Sequence, residues 1–120
     1  YEGNVSEALI ERMYAYGRYL QIGSCGPESL PSNLQGVWNG DYDAPWGGWY
    51  VTNENIQMNY WQVLPGNLPE LMNSYFRFFE DRIENFRRNA RKLFGCRGMV
   101  VPLALTPESG LHKLLMPHVL

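Results

Sequence analysis

The chain has 120 residues, 45% of them hydrophobic and 18% charged, which sets it at about one domain with a core of limited size. Ten Lys and Arg against twelve Asp and Glu leave a formal charge of −2, so the basic excess that a nucleic-acid partner needs is missing. The longest apolar stretches are a handful of residues, too short to span a membrane, so neither nucleic acid nor membrane is an expected partner.

Residues 4–22 read as a helix. Asn4 is placed to cap it, with Glu7 reaching back in a capping-box arrangement. Val5, Leu9, Met13, Tyr16 and Leu20 recur at helical spacing and define one apolar face, and Gly23 is a natural stop. Residues 24–55 carry Gly26, Pro27, Pro31, Gly36, Gly40, Pro45, Gly47 and Gly48, which break helix and strand alike. The same stretch is rich in aromatics, which disordered segments lack, so an ordered functional loop is expected. Trp38, Trp46, Trp49 and Trp61 fall close together with Tyr42, Tyr50 and Tyr60.

Residues 56–64 read as a short helix, apolar on nearly every side and therefore expected to be buried, ended by Pro65 and Gly66. Residues 67–94 read as a long helix capped by Asn67, with Glu70 in its first turn. Leu68, Leu71, Met72, Tyr75, Phe76, Phe79, Ile83, Phe86, Ala90 and Leu93 hold one stripe, with room for a break near Glu80 or Asp81. The stripe reads as core rather than as a cofactor pocket. Glu84 and Arg88 form an i,i+4 pair, the basic cluster from Arg87 to Lys92 suits a solvated helix end, and Gly95 follows as the C′ residue. Residues 99–103 are extended at most. The expected class is all-α, helices joined by a long aromatic Gly/Pro-rich loop. The chain opens on Tyr1 rather than Met, and Leu111 to Leu120 does not resemble a terminus. A piece of a larger helical protein is therefore expected, with the rest of that domain as its partner.

Cys25 and Cys96 lie outside any CxxC pattern, and His112 and His118 have no partners at metal spacing, so no metal and no cofactor is expected. The chemistry concentrates in Asn53-Glu-Asn-Ile-Gln-Met-Asn-Tyr-Trp61. Two carboxamides two residues apart precede a helix. A carboxamide is neutral and cannot act as a base, but it can hold a water molecule in one orientation. Asn is also a favoured N-cap, so one of Asn53 and Asn55 serving only as a cap is an equally simple use. Glu54 between them points away if the segment is extended. In the loop Trp38–Tyr50, flat aromatic faces suit stacking on sugar rings, and a loop merely packed on aromatic anchors fits as well. Asp41 and Asp43 suit solvated or Asx-turn positions better than acid/base work.

Taken in order, Tyr16-Gly-Arg-Tyr-Leu20, Leu30-Pro-Ser-Asn-Leu-Gln-Gly-Val-Trp-Asn39, Pro45-Trp-Gly47, Asn53-x-Asn55-x-Gln57-Met-Asn-Tyr-Trp61, Asn67-Leu and Gly95-Cys-Arg-Gly98 resemble the catalytic domain of glycoside hydrolase family 95. These are inverting α-L-fucosidases, some preferring α-L-galactosides. The resemblance covers roughly residues 10–98. It implies a fragment of an (α/α)6 barrel acting on an oligosaccharide or glycoside. It further implies that Asn53 and Asn55 match the family's paired asparagines, which position the attacking water with an Asp and a general-acid Glu from later in the chain. Trp46, Trp49 and Gln57 are the expected substrate-binding residues. The chain departs from the family pattern at Met99-Val-Val-Pro-Leu-Ala-Leu-Thr106, where relatives usually carry a Trp and a histidine-bearing stretch, and at Val51, where they often carry His or Thr. A non-catalytic sugar-binding or helical interaction module is the alternative.

Overall fold

The computed structural model describes residues 5–111. In chain order it has α1 (Glu7–Ser24), a helical turn (Pro45–Gly48), β1 (Tyr50–Val51), α2 (Asn55–Trp61), a 3-10 turn (Pro69–Leu71), α3 (Met72–Glu80), α4 (Ile83–Phe94) and β2 (Ala104–Leu105). Helix dominates. The exception is a two-residue antiparallel ladder that pairs Tyr50 with Leu105 and Val51 with Ala104.

Ser6, not Asn4, caps α1: its Oγ accepts from the Leu9 N–H at 3.3 Å. Asn4 lies outside the described residues, as do His112 and His118. The helix also runs through Gly23 to Ser24. The larger correction concerns its apolar face. Val5, Leu9, Met13 and Tyr16 are all exposed, and burial begins only at the C-terminal end with Gln21 and Ser24. Spacing sets which residues share a face, but nothing among the described residues covers this one. The result is an elongated molecule of 56 × 31 × 28 Å with a radius of gyration of 17.1 Å, against about 14 Å for a compact domain of this length.

A short polar network ties α1 to the rest. The Tyr60 hydroxyl accepts from the Ser32 N–H at 3.1 Å and lies 3.2 Å from Ser74 Oγ, while Ser32 Oγ donates to Ser24 Oγ at 2.8 Å. Around it pack Cys25, Tyr60, Val63, Leu68 and Leu71. A second cluster joins Tyr50, Ile56, Phe78, Phe86 and Leu105. Helix α2 ends at Trp61 rather than running to Leu64 as expected; it faces both clusters with Ile56 and Tyr60, yet Met58 and Trp61 face solvent, so it is half-covered rather than buried all round.

The long second helix is divided. Asn67 does not cap it; it takes the left-handed conformation (φ 54°), and Pro69 opens the 3-10 turn that leads into α3. The break comes at Asp81 and Arg82, and Arg82 explains it. In a continuous helix the Arg82 N–H would bond the Phe78 carbonyl. Instead that N–H bonds Phe79 at 3.0 Å, and the Arg82 side chain turns inward so that Nη1 takes the Phe78 carbonyl at 2.7 Å and Nη2 takes that of Pro107. Its guanidinium also lies 3.9 Å from the Phe78 ring centroid. The redirected chain buries Phe78 and leaves Phe76, an expected core residue, exposed. In α4, Glu84 pairs with Arg87 at 2.5 Å and not with Arg88, and Gly95 ends the helix in the left-handed region (φ 64°). Beyond it the chain folds back on α4, where Asn89 Nδ2 donates to the carbonyls of Val100 and Gly110 at 3.1 and 2.9 Å. Among the described residues no helix is long and apolar enough to cross a membrane.

Candidate active site

The short ladder and α2 together fix one turn, residues 52–54. Thr52 is its anchor. Its N–H donates to the Leu103 carbonyl at 2.8 Å, and its hydroxyl donates to the carbonyls of Pro102 and Leu103, the latter at 3.1 Å. From the other side Gln57 Nε2 donates to the Thr52 carbonyl at 2.5 Å. The Glu54 carbonyl then accepts the first helical bond of α2, from Met58 N–H at 3.0 Å. So the turn is held at both ends by bonds that do not involve its own asparagines.

Asn53 stands in this turn and Asn55 is the first residue of α2. Both are exposed. Glu54 occupies the N-cap, and its side chain makes no capping bond. Neither Asn53 nor Asn55 spends its amide on another described residue. Their donors and acceptors therefore remain available to a ligand or to water. Gln57 is differently employed: it is half-buried, its amide nitrogen braces Thr52, and its Oε1 is buried without a partner among the described residues. It also lines an apolar groove of about 390 Å³ with Phe76, Phe79, Phe86, Met99 and Val101.

The two tryptophans come from the Pro45–Gly48 turn. Trp46 (φ 57°), Gly47 (φ 62°) and Gly48 (φ 61°) are successive left-handed residues. Glycine adopts this conformation freely, while a bulky side chain is strained in it by about 1–2 kcal/mol. Such strain at an exposed side chain is a mark of function more often than of folding. The turn puts the Trp46 ring in solvent, 70% exposed, while Trp49 is half-buried with its indole against Gly47. Gln35 holds the turn by donating to the Pro45 carbonyl at 2.7 Å, and Leu34 N–H donates to the Trp49 carbonyl at 3.2 Å. Asn59 in α2 in turn donates to the Asn33 carbonyl at 2.9 Å. The string Leu30–Asn39 thus links the tryptophan turn to the helix that follows the asparagine pair. Sequence reasoning did not single out Thr52, Asn33, Gln35 or Asn59 as functional supports. Only their place inside the motif strings could have pointed to them.

Every described Asp and Glu is exposed. A general acid needs a carboxyl whose protonated form is favoured, usually by burial, and no described carboxylate meets that condition. Asp41 and Asp43 sit in the loop, where the Asn39 carboxamide oxygen accepts from the Asp41 N–H at 2.7 Å in an Asx turn. Glu28 is held below the ordinary carboxylate value by its hydrogen bonds and charge pairing with Arg77, at 2.8 and 3.1 Å, on the open surface. The buried Tyr60 hydroxyl is pushed well above its ordinary value, chiefly by burial, and serves as a structural donor and acceptor. Among the described residues no cluster of three or more His, Cys, Asp or Glu is placed to hold a metal.

The profile of the glycosyl hydrolase family 95 catalytic domain matches residues 1–107. A protein named alpha-L-fucosidase 2 from Arabidopsis thaliana is 42% identical over 93 residues, covering 78% of this chain and 11% of the relative. A probable alpha-fucosidase A from Aspergillus oryzae is 39% identical over 93 residues (77% of this chain, 13% of the relative). Its namesake from Aspergillus niger is 51% identical over 59 residues (49% of this chain, 7% of the relative). The chain thus spans about a tenth of the length of these curated relatives.

Proposed function

The chain belongs to the glycosyl hydrolase family 95 catalytic domain family, and from that premise we propose that it forms part of an inverting glycosidase acting on terminal α-L-fucosyl or related α-L-glycosyl residues. In this reading its helices contribute to an (α/α)6 barrel completed by the rest of the parent domain. Asn53 and Asn55 supply the water-positioning pair. The observation that carries the proposal is the state of those two amides: without a hydrogen bond to another described residue, beside a turn fixed through Thr52 and Gln57.

The chemistry follows from what a carboxamide can do. An amide oxygen accepts a hydrogen bond from water and turns one of its lone pairs toward the anomeric carbon. The amide cannot take the proton, so a carboxylate elsewhere in the domain receives it as the new C–O bond forms. The bond to the leaving oxygen breaks as a carboxylic acid, also elsewhere, protonates that oxygen. Inversion requires the acid and base to stand about 6.5–9.5 Å apart, with the water between. Two amides on a rigid turn pre-orient that water before reaction, which is where polar preorganisation gains rate. Gln57 acts here as a positioning residue through Thr52, while Trp46 and Trp49 offer faces to the sugar.

In the complete catalytic domain, Asn53→Ala or Asn55→Ala is expected to lower kcat on an aryl α-L-fucoside by about 10²-fold or more, the scale of losing one preorganised polar contact. Because both side chains are exposed and cap nothing, thermal stability is expected to stay within about 0.5 kcal/mol. Unchanged kcat with a lowered Tm would overturn the catalytic role and return the pair to a structural one.

A further inference from the structure

We propose that Arg82 is the receptor of a carboxylate: the pocket it lines takes one singly charged carboxylate group, which no described residue supplies. The starting point is an unbalanced charge. Arg82 is 8% exposed, and a buried guanidinium is ordinarily paired with an acid. The ion pairs among the described residues are Arg77 with Glu28 and Arg87 with Glu84, and neither includes it. In place of an acid it has the backbone carbonyls of Phe78 and Pro107 and the face of the Phe78 ring. These solvate a cation without neutralising it. A guanidinium also has more N–H donors than two carbonyls take, and the Arg82 Nε N–H is buried with no partner among the described residues. Burial holds the Arg82 pKa below the usual guanidinium value, and the charges of Asp81 and Glu108 oppose that shift without either acid forming an ion pair with it.

The pocket has the size and the walls for that group. Its volume is about 300 Å³, and Arg82 lines it with Arg77, Asp81, Glu28, Ser29 and Ser74. Arg82 stands at the break between α3 and α4, Arg77 and Ser74 in α3, and Glu28 and Ser29 in the loop after α1, so segments distant in the chain close on one space. Glu28 is already engaged by Arg77, at 2.8 and 3.1 Å, and Asp81 is exposed to water. The formal charges of these four ionised walls cancel, which tolerates one added negative charge beside the buried guanidinium and works against a dianion such as phosphate. A planar carboxylate also matches the fork of an arginine. The same group can arrive in two ways: as a side chain from elsewhere in the parent domain, of whose curated relatives the chain spans about a tenth, or as a free acid. The chemistry at Arg82 is the same for both, and it does not depend on the asparagine pair.

The test follows the Arg82 side-chain N–H resonance by NMR in the isotope-labelled 120-residue chain, assigned by its loss in Arg82→Lys. Sodium acetate, titrated against sodium chloride at equal ionic strength, is expected to move it saturably. Sodium phosphate at about pH 8, where it is a dianion, is expected to bind about threefold more weakly or worse. Read at the Ser74 backbone amide, Arg82→Lys is expected to raise the acetate Kd about tenfold, because an ammonium has no fork. Glu28→Gln, on an exposed residue, is expected to lower it about threefold by freeing Arg77, and it keeps the test decisive where Arg82→Lys disturbs the junction of α3 and α4. In the complete catalytic domain, a resonance that acetate still moves assigns the site to a free acid. One that already stands at the acetate-saturated position assigns it to a carboxylate side chain of the domain. Both support the proposal. It is overturned by the absence of a saturable shift in the 120-residue chain, by an equal effect of chloride, by tighter binding of phosphate, or by an acetate Kd unchanged in both variants. A resonance in the complete domain that stays at the acetate-free position and does not respond to acetate overturns it as well.

Discussion

A tyrosine and a tryptophan show how single residues act on stability in opposite directions. The Tyr60 hydroxyl satisfies the buried Ser32 N–H and meets Ser74, so Tyr60→Phe leaves a buried donor unpaired and is expected to cost about 1–3 kcal/mol in chemical denaturation. The same residue sets an alkaline limit. Burial raises its pKa above the ordinary 10.0, and Tyr50 and Tyr75 shift in the same direction. The folded chain keeps this proton where the unfolded chain releases it. The stabilisation is therefore whole below pH 10 and is lost as pH rises from there through the folded-state value. Denaturation followed across that range is expected to show a shallower pH slope in Tyr60→Phe than in the parent. Trp46 works in the opposite sense. Its left-handed backbone is strained and its ring is in solvent, so Trp46→Gly is expected to raise stability by up to about 1 kcal/mol while weakening sugar binding. A Tm drop with binding intact would remove Trp46 from the site.

Elements were legible in the sequence where local rules decide them, and illegible where a distant partner does. Gly95 marks a real end, because its positive φ acts within a turn, whereas α2 stops at Trp61, four residues short of Pro65. The break between α3 and α4 falls where the stripe allowed it, yet its cause, an arginine taking a helical carbonyl and that of Pro107, depends on a residue far along the chain. Likewise the β1–β2 ladder joins residues with no local pattern in common, and so the anchoring of the asparagine turn could not be foreseen, although the pair itself stood out in its motif. The cap of α1 is Ser6, the residue directly before Glu7. Two glycines separate these levels experimentally. At Gly17, inside α1, an added Cβ would meet only the flexible end of Gln62, at 2.9 Å from Oε1. Gly17→Ala is therefore expected to stabilise by about 0.5–1 kcal/mol through helix propensity. At Gly110 it would meet Phe86 Cε1 at 2.8 Å and Arg82 Cβ at 2.9 Å, both in a packed core. Gly110→Ala is expected to destabilise by about 1–3 kcal/mol. Thermal melts of the two variants moving in the same direction would contradict this account.

At the scale of the molecule, an open shape with α1 reaching outward and the exposure of every described carboxylate agree with the proposal that the general acid comes from the rest of the domain. The isolated chain is accordingly expected to release no aglycone from an aryl α-L-fucoside, and turnover by the pure chain would show that a described carboxylate suffices. The clamp on Thr52 has a bearing on how the proposed centre can be altered. Its partners across the ladder are carbonyls of Pro102 and Leu103, atoms that every amino acid supplies. The stretch around them lies within the family match over residues 1–107, and its Met99 and Val101 line the groove beside Gln57. Side chains there can be exchanged to reshape that groove while the backbone carbonyls that anchor the Thr52 turn stay in place. On the proposed function, residues 99–103 are therefore the place to vary substrate preference while the turn that carries Asn53 keeps its anchor.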